Sequence, residues 1–283
     1  MFYPLIDNEI IGFGPIALRW YGLSYLAGFV ICWWLGQRRA ARLSAQGEPW
    51  SGEEVYDLVF YGALGAVLGG RLGFVFFYGF DRFLSDPLWL FRLWDGGMSF
   101  HGGLLGVLLG FAVYGRKTGR TFFQVADFMA PLCPPGLGLG RIANFINTEL
   151  PGRVTDSALG VHYPCSAVHN LSLTCVGEWE EATRHVSPLY QAFTEGLLLF
   201  ILLWWFSRKP RGRGAVSGMF LIGYGFFRFC TEFFRQPDFG IGFVAFDWLS
   251  MGQLLSIPMI IAGIVLFVRG RTLSTVESPR VAS

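Results

Sequence analysis

Residues 140–152 read Gly-Arg-Ile-Ala-Asn-Phe-Ile-Asn-Thr-Glu-Leu-Pro-Gly and end one of the chain's long apolar segments. This stretch places a cation (Arg141), two amides (Asn144 and Asn147) and a carboxylate (Glu149) within nine residues. A charge at the centre of a bilayer costs at least about 2.5 kcal/mol, so an ionisable group at membrane depth marks a functional site by default. The stretch therefore predicts a site built on an apolar helix.

The composition indicates an integral membrane protein. Of the 283 residues 53% are hydrophobic and 15% are charged, whereas a soluble domain carries about 25% charged residues. The net charge of +2 is too small to indicate a nucleic-acid partner. His and Cys residues do not recur at metal-ligand spacing, so we expect neither a metal nor a cofactor.

Seven apolar segments are long enough to cross a bilayer, since about 20 residues span its hydrocarbon core as a helix. They are residues 16–36, 55–79, 98–115, 121–145, 188–206, 215–234 and 250–269. The fourth contains Pro131, Pro134 and Pro135, which predict a kink or a break. The sequence therefore predicts an all-α integral membrane protein in which residues 1–283 form one polytopic domain.

The positive charges in the connections predict the orientation. One alternating set is rich in Lys and Arg: Arg38, Arg39, Arg42, Arg116, Lys117, Arg120, Arg208, Lys209, Arg211, Arg213, Arg269, Arg271 and Arg280. The other holds only Arg82, Arg92, Arg153, Arg184 and Arg235. We therefore place the N-terminus outside and the C-terminus in the cytoplasm. Residues 147–187 then form a small outer head, in which Cys165 and Cys175 can form a disulfide if the compartment is oxidising.

Arg141 and Asn144 lie three residues apart, so on a helix they share one face. A guanidinium beside an amide donor suits a phosphate, because the guanidinium is planar, permanently charged and able to bind two oxygens. The alternative is that Arg141 forms a buried ion pair with Glu149 that only fixes helix packing.

A second charged group, Arg228, Glu232 and Arg235, ends the sixth apolar segment. Spacings of four and three residues predict that all three lie on one stripe of a helix, with Pro237 as its stop. The stripe has a net positive charge near the outer boundary of the bilayer. The alternative is an ion pair between Arg228 and Glu232, with Arg235 reaching to the interface.

His101 and Tyr21 are further candidates. His101 follows a glycine-rich turn and opens the third span, and histidine exchanges protons near neutral pH because its unperturbed pKa is about 6.5. As an isolated residue it is more often a hydrogen-bonded structural histidine. Tyr21 lies at the outer end of the first span, where tyrosines commonly anchor helices.

The stretch 140–152 resembles the signature of the bacterial prolipoprotein diacylglyceryl transferases, Gly-Arg-x-(Gly/Ala)-Asn-Phe-apolar-Asn-x-Glu-x-x-Gly. The matching residues are Gly140, Arg141, Ala143, Asn144, Phe145, Ile146, Asn147, Glu149 and Gly152. Stretches 94–103 and 223–238 are also similar to the family, and the resemblance extends from Trp20 to Pro258. It is weakest in segment 154–184 and at Gln191, where the family commonly carries a glutamate.

The resemblance implies a bacterial inner-membrane enzyme with seven spans, a periplasmic N-terminus and a small periplasmic head. Family members transfer the diacylglyceryl group of phosphatidylglycerol to the thiol of the lipobox cysteine in a prolipoprotein signal peptide. The products are a thioether and glycerol 1-phosphate. The implied partners are these two substrates and membrane lipids, and we expect a monomer.

Positive charge aimed at the departing phosphate stabilises its departure, so we assign Arg141 and Arg228 to that group. The resemblance makes His101 the proton acceptor for the thiol, unless the arginines alone favour the thiolate and leave His101 structural. The residues assigned to substrate binding are Tyr21, Arg141, Asn144, Glu149, Gly152, Glu232 and Arg235. Among these, Glu149 and Glu232 are expected to orient the arginines or the lipid head group. Gly152 is expected to permit a backbone turn, and Arg235 to guide the anionic lipid inward.

Two other classes of membrane protein compete with this interpretation. A transporter of an anionic lipid or a small phosphate also needs intramembrane arginines, but the sequence has no clear internal repeat. An intramembrane protease needs a Ser–His pair or paired aspartates within the membrane. Asp57 and Asp127 both lie near the predicted cytoplasmic ends of spans, which disfavours the protease.

Overall fold

The computed structural model describes residues 1–276 except residues 8, 14, 15, 49, 167, 169–172 and 238–241. The chain divides into two compact units. The first contains Met1–Ile31 and the residues from Ala130 onward, and the second contains Cys32–Met129. Both units are mostly helical, and the first also carries short antiparallel strand pairs.

The helices follow the apolar segments of the sequence. They are α1 (Trp20–Ala45), α2 (Gly52–Tyr78), α3 (Phe80–Ser85), α4 (Phe100–Thr118), α5 (Phe122–Met129), α6 (Cys133–Ile146), α7 (Ser187–Gln191), α8 (Leu199–Phe206), α9 (Ala215–Thr231) and α10 (Met251–Val276). A π-helix, Ala192–Leu198, joins α7 to α8. The paired strands are β1 (Glu9–Phe13) with β2 (Ile16–Arg19), β3 (Cys175–Val176) with β4 (Trp179–Glu180), and β5 (Phe243–Ala245) with β6 (Leu249–Ser250).

The apolar exterior agrees with a membrane protein. Within the described residues, three helical segments are long and apolar enough to cross a bilayer: Gly52–Tyr78, Ser187–Phe206 and Met251–Arg271. Large apolar side chains such as Phe60, Ile201 and Ile261 are exposed on these segments. Apolar surface that recurs along whole helices is typical of contact with lipid rather than water.

The predicted break in the fourth apolar segment is confirmed. Helix α5 ends at Met129, a 3-10 turn occupies Ala130–Leu132, and α6 begins at Cys133. Pro134 lies in the first turn of α6, where a missing N–H costs no helical hydrogen bond. Helix α6 therefore starts afresh and carries the signature stretch at its other end.

In the second unit, glycines allow α2 and α4 to pack backbone against backbone. A Cβ atom on Gly106 would lie 2.0 Å from the carbonyl oxygen of Gly65, and one on Gly102 would lie 2.3 Å from that of Gly69. Side chains at these positions would force the two helices apart. Small residues therefore bring this pair of helices close together, as they do between helices of membrane proteins.

Arg71, on α2, organises the loop that leads into α4. Its side chain is buried and donates hydrogen bonds to the carbonyl oxygens of Leu90 (2.9 Å), Gly96 (2.5 Å), Trp89 (2.5 Å) and Arg92 (2.9 Å). This arginine on an apolar helix thus satisfies backbone groups that would otherwise be buried without partners. Its role is structural.

In the first unit, α6 approaches the π-helix through another glycine pair. A Cβ atom on Gly196 would lie 2.7 Å from the Cα atom of Gly138. This contact brings together two elements that are far apart in the sequence. It also sets the distance between the residues that follow Gly138 on α6 and those that flank Gly196.

Within the predicted head, residues 147–187, several of the described residues share a hydrophobic core with residues from outside this range. Tyr3, Val161, Tyr163 and Val168 pack together, and Phe145 contacts the same cluster. Cys165 and Cys175 form a disulfide, and Arg184 makes a buried ion pair with Glu180 at 2.7 Å. The head is therefore tied both to the N-terminus and to the end of α6.

Candidate active site

The end of α6 forms a polar triad with the first turn of α1. The Tyr21 hydroxyl donates a hydrogen bond to Glu149 Oε2 at 2.8 Å, and Asn144 Nδ2 donates to the same oxygen at 2.8 Å. Asn144 Nδ2 also donates to the Tyr21 oxygen. Three predicted site residues therefore form one cluster: Tyr21 from α1, Asn144 from α6 and Glu149 from the turn that follows α6.

The backbone turn after α6 directs Glu149 back towards its own helix. Thr148 and Leu150 both have a φ of 55°, in the left-handed region that residues with a side chain rarely adopt. The Glu149 N–H donates to the Asn144 carbonyl oxygen at 2.8 Å. Such strain is typical of functional sites, where the surrounding structure holds it in place.

Tyr3 holds this turn from the head side. Its hydroxyl donates to the carbonyl oxygens of Phe145 (2.7 Å) and Ile146 (2.8 Å), which are among the last groups of α6. Burial raises the pKa of Tyr3 to about 12, so the hydroxyl keeps its proton at physiological pH. Tyr3 therefore satisfies carbonyl groups that have no partner within the helix.

We expect Tyr21→Phe to lower the rate of the diacylglyceryl transfer that the resemblance implies by about 10-fold to 100-fold. A hydrogen bond to a charged group contributes about 1.5–3 kcal/mol. The variant keeps the ring and removes the hydroxyl that joins Asn144 to Glu149. Tyr25→Phe is the matched control, because Tyr25 stacks on Tyr21 with ring centroids 6.1 Å apart but is itself exposed. Equal activity of the two variants would refute a role for the Tyr21 hydroxyl.

Arg141 makes its ion pair with Glu195 and not with Glu149. Arg141 Nη2 lies 3.4 Å from Glu195 Oε2, whereas Glu149 bonds to Tyr21 and Asn144. The alternative of a packing pair between Arg141 and Glu149 is therefore wrong. The glycine contact between α6 and the π-helix accounts for the observed pairing, because Glu195 is adjacent to Gly196 and Arg141 lies one turn after Gly138.

Glu195 also approaches Arg228, so one carboxylate lies between two arginines from different helices. Arg228 Nη1 is 3.9 Å from Glu195 Oε1, and the Thr231 hydroxyl donates to that oxygen at 3.4 Å. We did not predict Glu195 as a site residue. The signal was nevertheless in the sequence, because Glu195 is a carboxylate within a predicted span.

Arg228 and Glu232 form the ion pair that was the alternative to a positive helical stripe, and Arg235 is buried and also pairs with Glu232 instead of reaching to the interface. Arg228 Nη2 lies 2.9 Å from Glu232 Oε2, and Arg235 Nη1 lies 3.7 Å from Glu232 Oε1. Helix α9 ends at Thr231, so Arg235 lies beyond it. The helix does not continue to Pro237 because the chain turns to meet Gly152 and Arg153 of the head.

Gly152 and Arg153 hold this turned segment. Gly152 pairs with Arg235 in an isolated antiparallel bridge, and Arg153 donates to the carbonyl oxygens of Arg235 (3.0 Å) and Glu232 (3.3 Å). A Cβ atom on Gly152 would lie 2.3 Å from the His185 carbonyl oxygen. This glycine is therefore required for the close packing of three segments, and its role in a backbone turn beside the substrate stays a prediction.

His101 lies in the other unit. It occupies the first turn of α4, which Ser99 caps by accepting a hydrogen bond from the Gly102 N–H at 3.3 Å. Gly96 and Gly97 both have positive φ, as the predicted glycine-rich turn requires. The position of His101 at the start of the third apolar segment is confirmed, and its chemical role stays a prediction.

The arginine cluster can bind an anion. Arg141, Arg228 and Arg235 face the carboxylates of Glu195 and Glu232, which leaves one positive charge in excess. In a site of low dielectric such an excess attracts an anion strongly. Planar guanidinium groups from two helices are well suited to the oxygens of a phosphate.

Comparisons with known proteins agree with this chemistry. A family model described as prolipoprotein diacylglyceryl transferase matches residues 8–269. A Chromohalobacter salexigens protein named phosphatidylglycerol–prolipoprotein diacylglyceryl transferase is 54% identical over 269 residues, which cover 95% of this chain and 94% of that protein.

Proteins of the same name from Vibrio campbellii and Acinetobacter baumannii are 52% and 51% identical. The first alignment covers 94% of this chain and 91% of the relative, and the second covers 93% and 92%. The chain therefore belongs to the prolipoprotein diacylglyceryl transferase family and is a transferase.

Proposed function

We propose that this protein transfers the diacylglyceryl group of phosphatidylglycerol to the thiol of the lipobox cysteine in a prolipoprotein signal peptide. The observation that carries the proposal is the pair of arginines, Arg141 and Arg228, at one buried carboxylate in a chain of this family. This activity is the first step in the maturation of bacterial lipoproteins.

The reaction needs a thiolate and a stabilised leaving group. The thiolate sulfur attacks the glyceryl carbon that bears the phosphate, so a carbon–sulfur bond forms as the carbon–oxygen bond breaks. Glycerol 1-phosphate departs as a dianion, and the thiol proton passes to a base. Charge on the phosphate grows as it leaves, and Arg141 and Arg228 stabilise that growth most.

The remaining site residues are assigned from their contacts. Glu232 holds Arg228 and Arg235 through its two carboxylate oxygens. Tyr21, Asn144 and Glu149 form the polar triad, which we assign to the hydroxyl groups of the lipid head group. Arg235 is buried, so we assign it to holding Glu232 rather than to guiding lipid inward from the surface.

We assign His101 to accepting the thiol proton and predict a characteristic pH dependence. His101→Gln should lower the rate by about 100-fold or more at pH 7, as expected for loss of a general base. Activity should recover partly above pH 8, because a cysteine thiol with a pKa of about 8.5 then ionises by itself. The measurement is the rate as a function of pH.

His162→Gln is the control for this experiment. His162 belongs to the head, where its Nδ1 lies 2.9 Å from the Glu180 carbonyl oxygen. Its replacement should leave the shape of the pH profile unchanged. A loss of activity in His101→Gln that does not change with pH would assign His101 a structural role.

We further propose seven spans in the bacterial inner membrane, with the N-terminus and the 147–187 head in the periplasm and the C-terminus in the cytoplasm. The disulfide between Cys165 and Cys175 supports this orientation, because disulfides persist in the periplasm and are rare in the cytosol. We propose that residues 1–283 act as one polytopic domain and as a monomer.

Expression in a bacterium depleted of its own prolipoprotein diacylglyceryl transferase tests the function. The wild-type chain should restore growth and shift a reporter prolipoprotein to its lipid-modified mass, whereas Arg141→Ala should do neither at equal abundance. A transporter of anionic lipid or phosphate would leave the prolipoprotein unmodified. An unmodified reporter in cells with abundant, inserted wild-type protein would contradict the proposal.

A further inference from the structure

Glu195 is a fully buried carboxylate that both guanidinium groups of the proposed phosphate site share. Its side chain is 0% exposed, whereas the side chains of Arg141 and Arg228 are 21% and 12% exposed. The arginines therefore face the accessible side of the cluster, and Glu195 lies behind them. Glu195 can therefore affect a bound substrate only indirectly, through the positions of Arg141 and Arg228.

The two carboxylate oxygens of Glu195 face different neighbours. Oε2 faces Arg141 Nη2 at 3.4 Å, and Oε1 faces Arg228 Nη1 at 3.9 Å and the Thr231 hydroxyl at 3.4 Å. Charge-assisted hydrogen bonds are about 2.7–2.9 Å long. The distances from Glu195 to the two arginines are longer, so its contact with each of them is weak. Both guanidinium groups thus keep hydrogen-bonding capacity for another anion.

The backbone around Glu195 is specialised for this contact. Glu195 lies in the π-helix Ala192–Leu198, and π-helical turns occur frequently at functional sites. Its neighbour Gly196 packs against Gly138 of α6, which places the carboxylate beside Arg141. Thr231, in the last turn of α9, supplies the hydrogen bond on the Arg228 side.

We infer that Glu195 is a positioning residue that joins Arg141 and Arg228 into one phosphate clamp. Two like charges repel each other in a medium of low dielectric, and a carboxylate between them offsets that repulsion. Without it the guanidinium groups separate or rotate, although the site becomes more positive. The inference rests on the proposed function, since the clamp is defined by its action on the phosphate of phosphatidylglycerol.

The role of Glu195 has a signature in the kinetics. Glu195→Gln keeps the size of the side chain and removes its charge, so we expect kcat to fall by about 100-fold because transition-state stabilisation is lost. The KM for phosphatidylglycerol should stay within about threefold or fall, since an extra positive charge still attracts the anionic lipid. Glu195→Asp keeps the charge and should retain at least about ten times the kcat of Glu195→Gln.

The assay uses purified full-length protein in nanodiscs with phosphatidylglycerol and a lipobox peptide, and rates are normalised to folded protein. A merely structural Glu195 would lower the yield of folded protein and leave kcat of the folded fraction unchanged. That result, or equal impairment of the Gln and Asp variants, would overturn the inference. A wild type that transfers nothing would instead contradict the proposed function.

Thr231→Val gives a second test that leaves the buried charges in place, and it decides the matter if Glu195→Gln does not fold. We expect kcat to fall by about threefold to tenfold, as for loss of one hydrogen bond of about 1 kcal/mol. Thr194→Val is the matched control, because each hydroxyl lies near a backbone carbonyl oxygen three or four residues earlier, that of Tyr190 at 2.9 Å for Thr194 and that of Arg228 at 3.3 Å for Thr231, and the Thr231 hydroxyl also faces Glu195 at 3.4 Å. Equal kcat for the two valine variants would overturn the inference.

Discussion

Replacing Arg141 by lysine is expected to lower the rate of transfer by about 100-fold, and replacing it by alanine by about 1,000-fold or more. Lysine keeps a positive charge but is a point charge on a flexible stem, so it cannot bind two phosphate oxygens in a fixed plane. It also loses the geometry that pairs Arg141 with Glu195 at 3.4 Å. Charge alone therefore does not replace the guanidinium.

Arg19→Lys is the control for Arg141→Lys. Arg19 pairs with Glu9 at 3.0 Å, and both side chains are largely exposed, so the same chemical change should alter the rate less than twofold, since exposed ion pairs contribute only about 0–1 kcal/mol. Initial rates at saturating peptide, normalised to folded protein, decide the comparison. If Arg141→Lys were as active as Arg19→Lys, bidentate phosphate binding by Arg141 would be refuted.

The largest effect on stability is expected for Arg71→Met. The change removes a buried guanidinium that donates hydrogen bonds to five backbone carbonyl oxygens between Trp89 and Gly97. A buried polar group left without a partner costs about 1–3 kcal/mol, so we expect a loss of at least about 3 kcal/mol. The variant should accumulate poorly, and its Tm in detergent should fall markedly.

Arg82→Met separates this effect from the general loss of an arginine. Arg82 pairs with Asp95 at 3.2 Å, and its side chain is 56% exposed. Such exposed ion pairs contribute about 0–1 kcal/mol, so the Tm should change little. A normal Tm for Arg71→Met would show that the loop before α4 does not depend on this arginine.

The signature helix was the most predictable part of the site. Polar residues within an apolar segment carry a cost that only function or specific pairing offsets, so Arg141, Asn144 and Glu149 could be identified from sequence alone. The partners of these residues were less predictable. Proximity in the chain favours Glu149 as the partner of Arg141, whereas the observed partner, Glu195, is brought close by a glycine contact between two helices.

The end of α9 shows a second limit of local spacing. Arg228, Glu232 and Arg235 recur at helical intervals, and their ion pairs form, yet the helix stops at Thr231. The carbonyl oxygens beyond it bond to Arg153 from the head. Helical periodicity does not reveal such a competing donor, because it comes from a segment almost 80 residues earlier.

The arginines on apolar helices also show that the energetic cost of burying a charge identifies candidate site residues but not their roles. Arg71 and Arg228 both lie in apolar helices. Arg71 donates hydrogen bonds to the carbonyl oxygens of a loop, whereas Arg228 faces the carboxylates of Glu195 and Glu232. The difference depends on what surrounds each side chain, which the sequence of the helix alone does not contain.

The most direct test of the central claim is the stoichiometry of a single reaction. Purified protein in nanodiscs that contain phosphatidylglycerol is mixed with a lipobox peptide, and glycerol phosphate release and peptide mass are followed together. We predict one glycerol 1-phosphate released for each peptide that gains a diacylglyceryl group, and no release with a Cys→Ala peptide. Folded wild-type protein that releases no glycerol phosphate, or releases it without modifying the cysteine, would contradict the account.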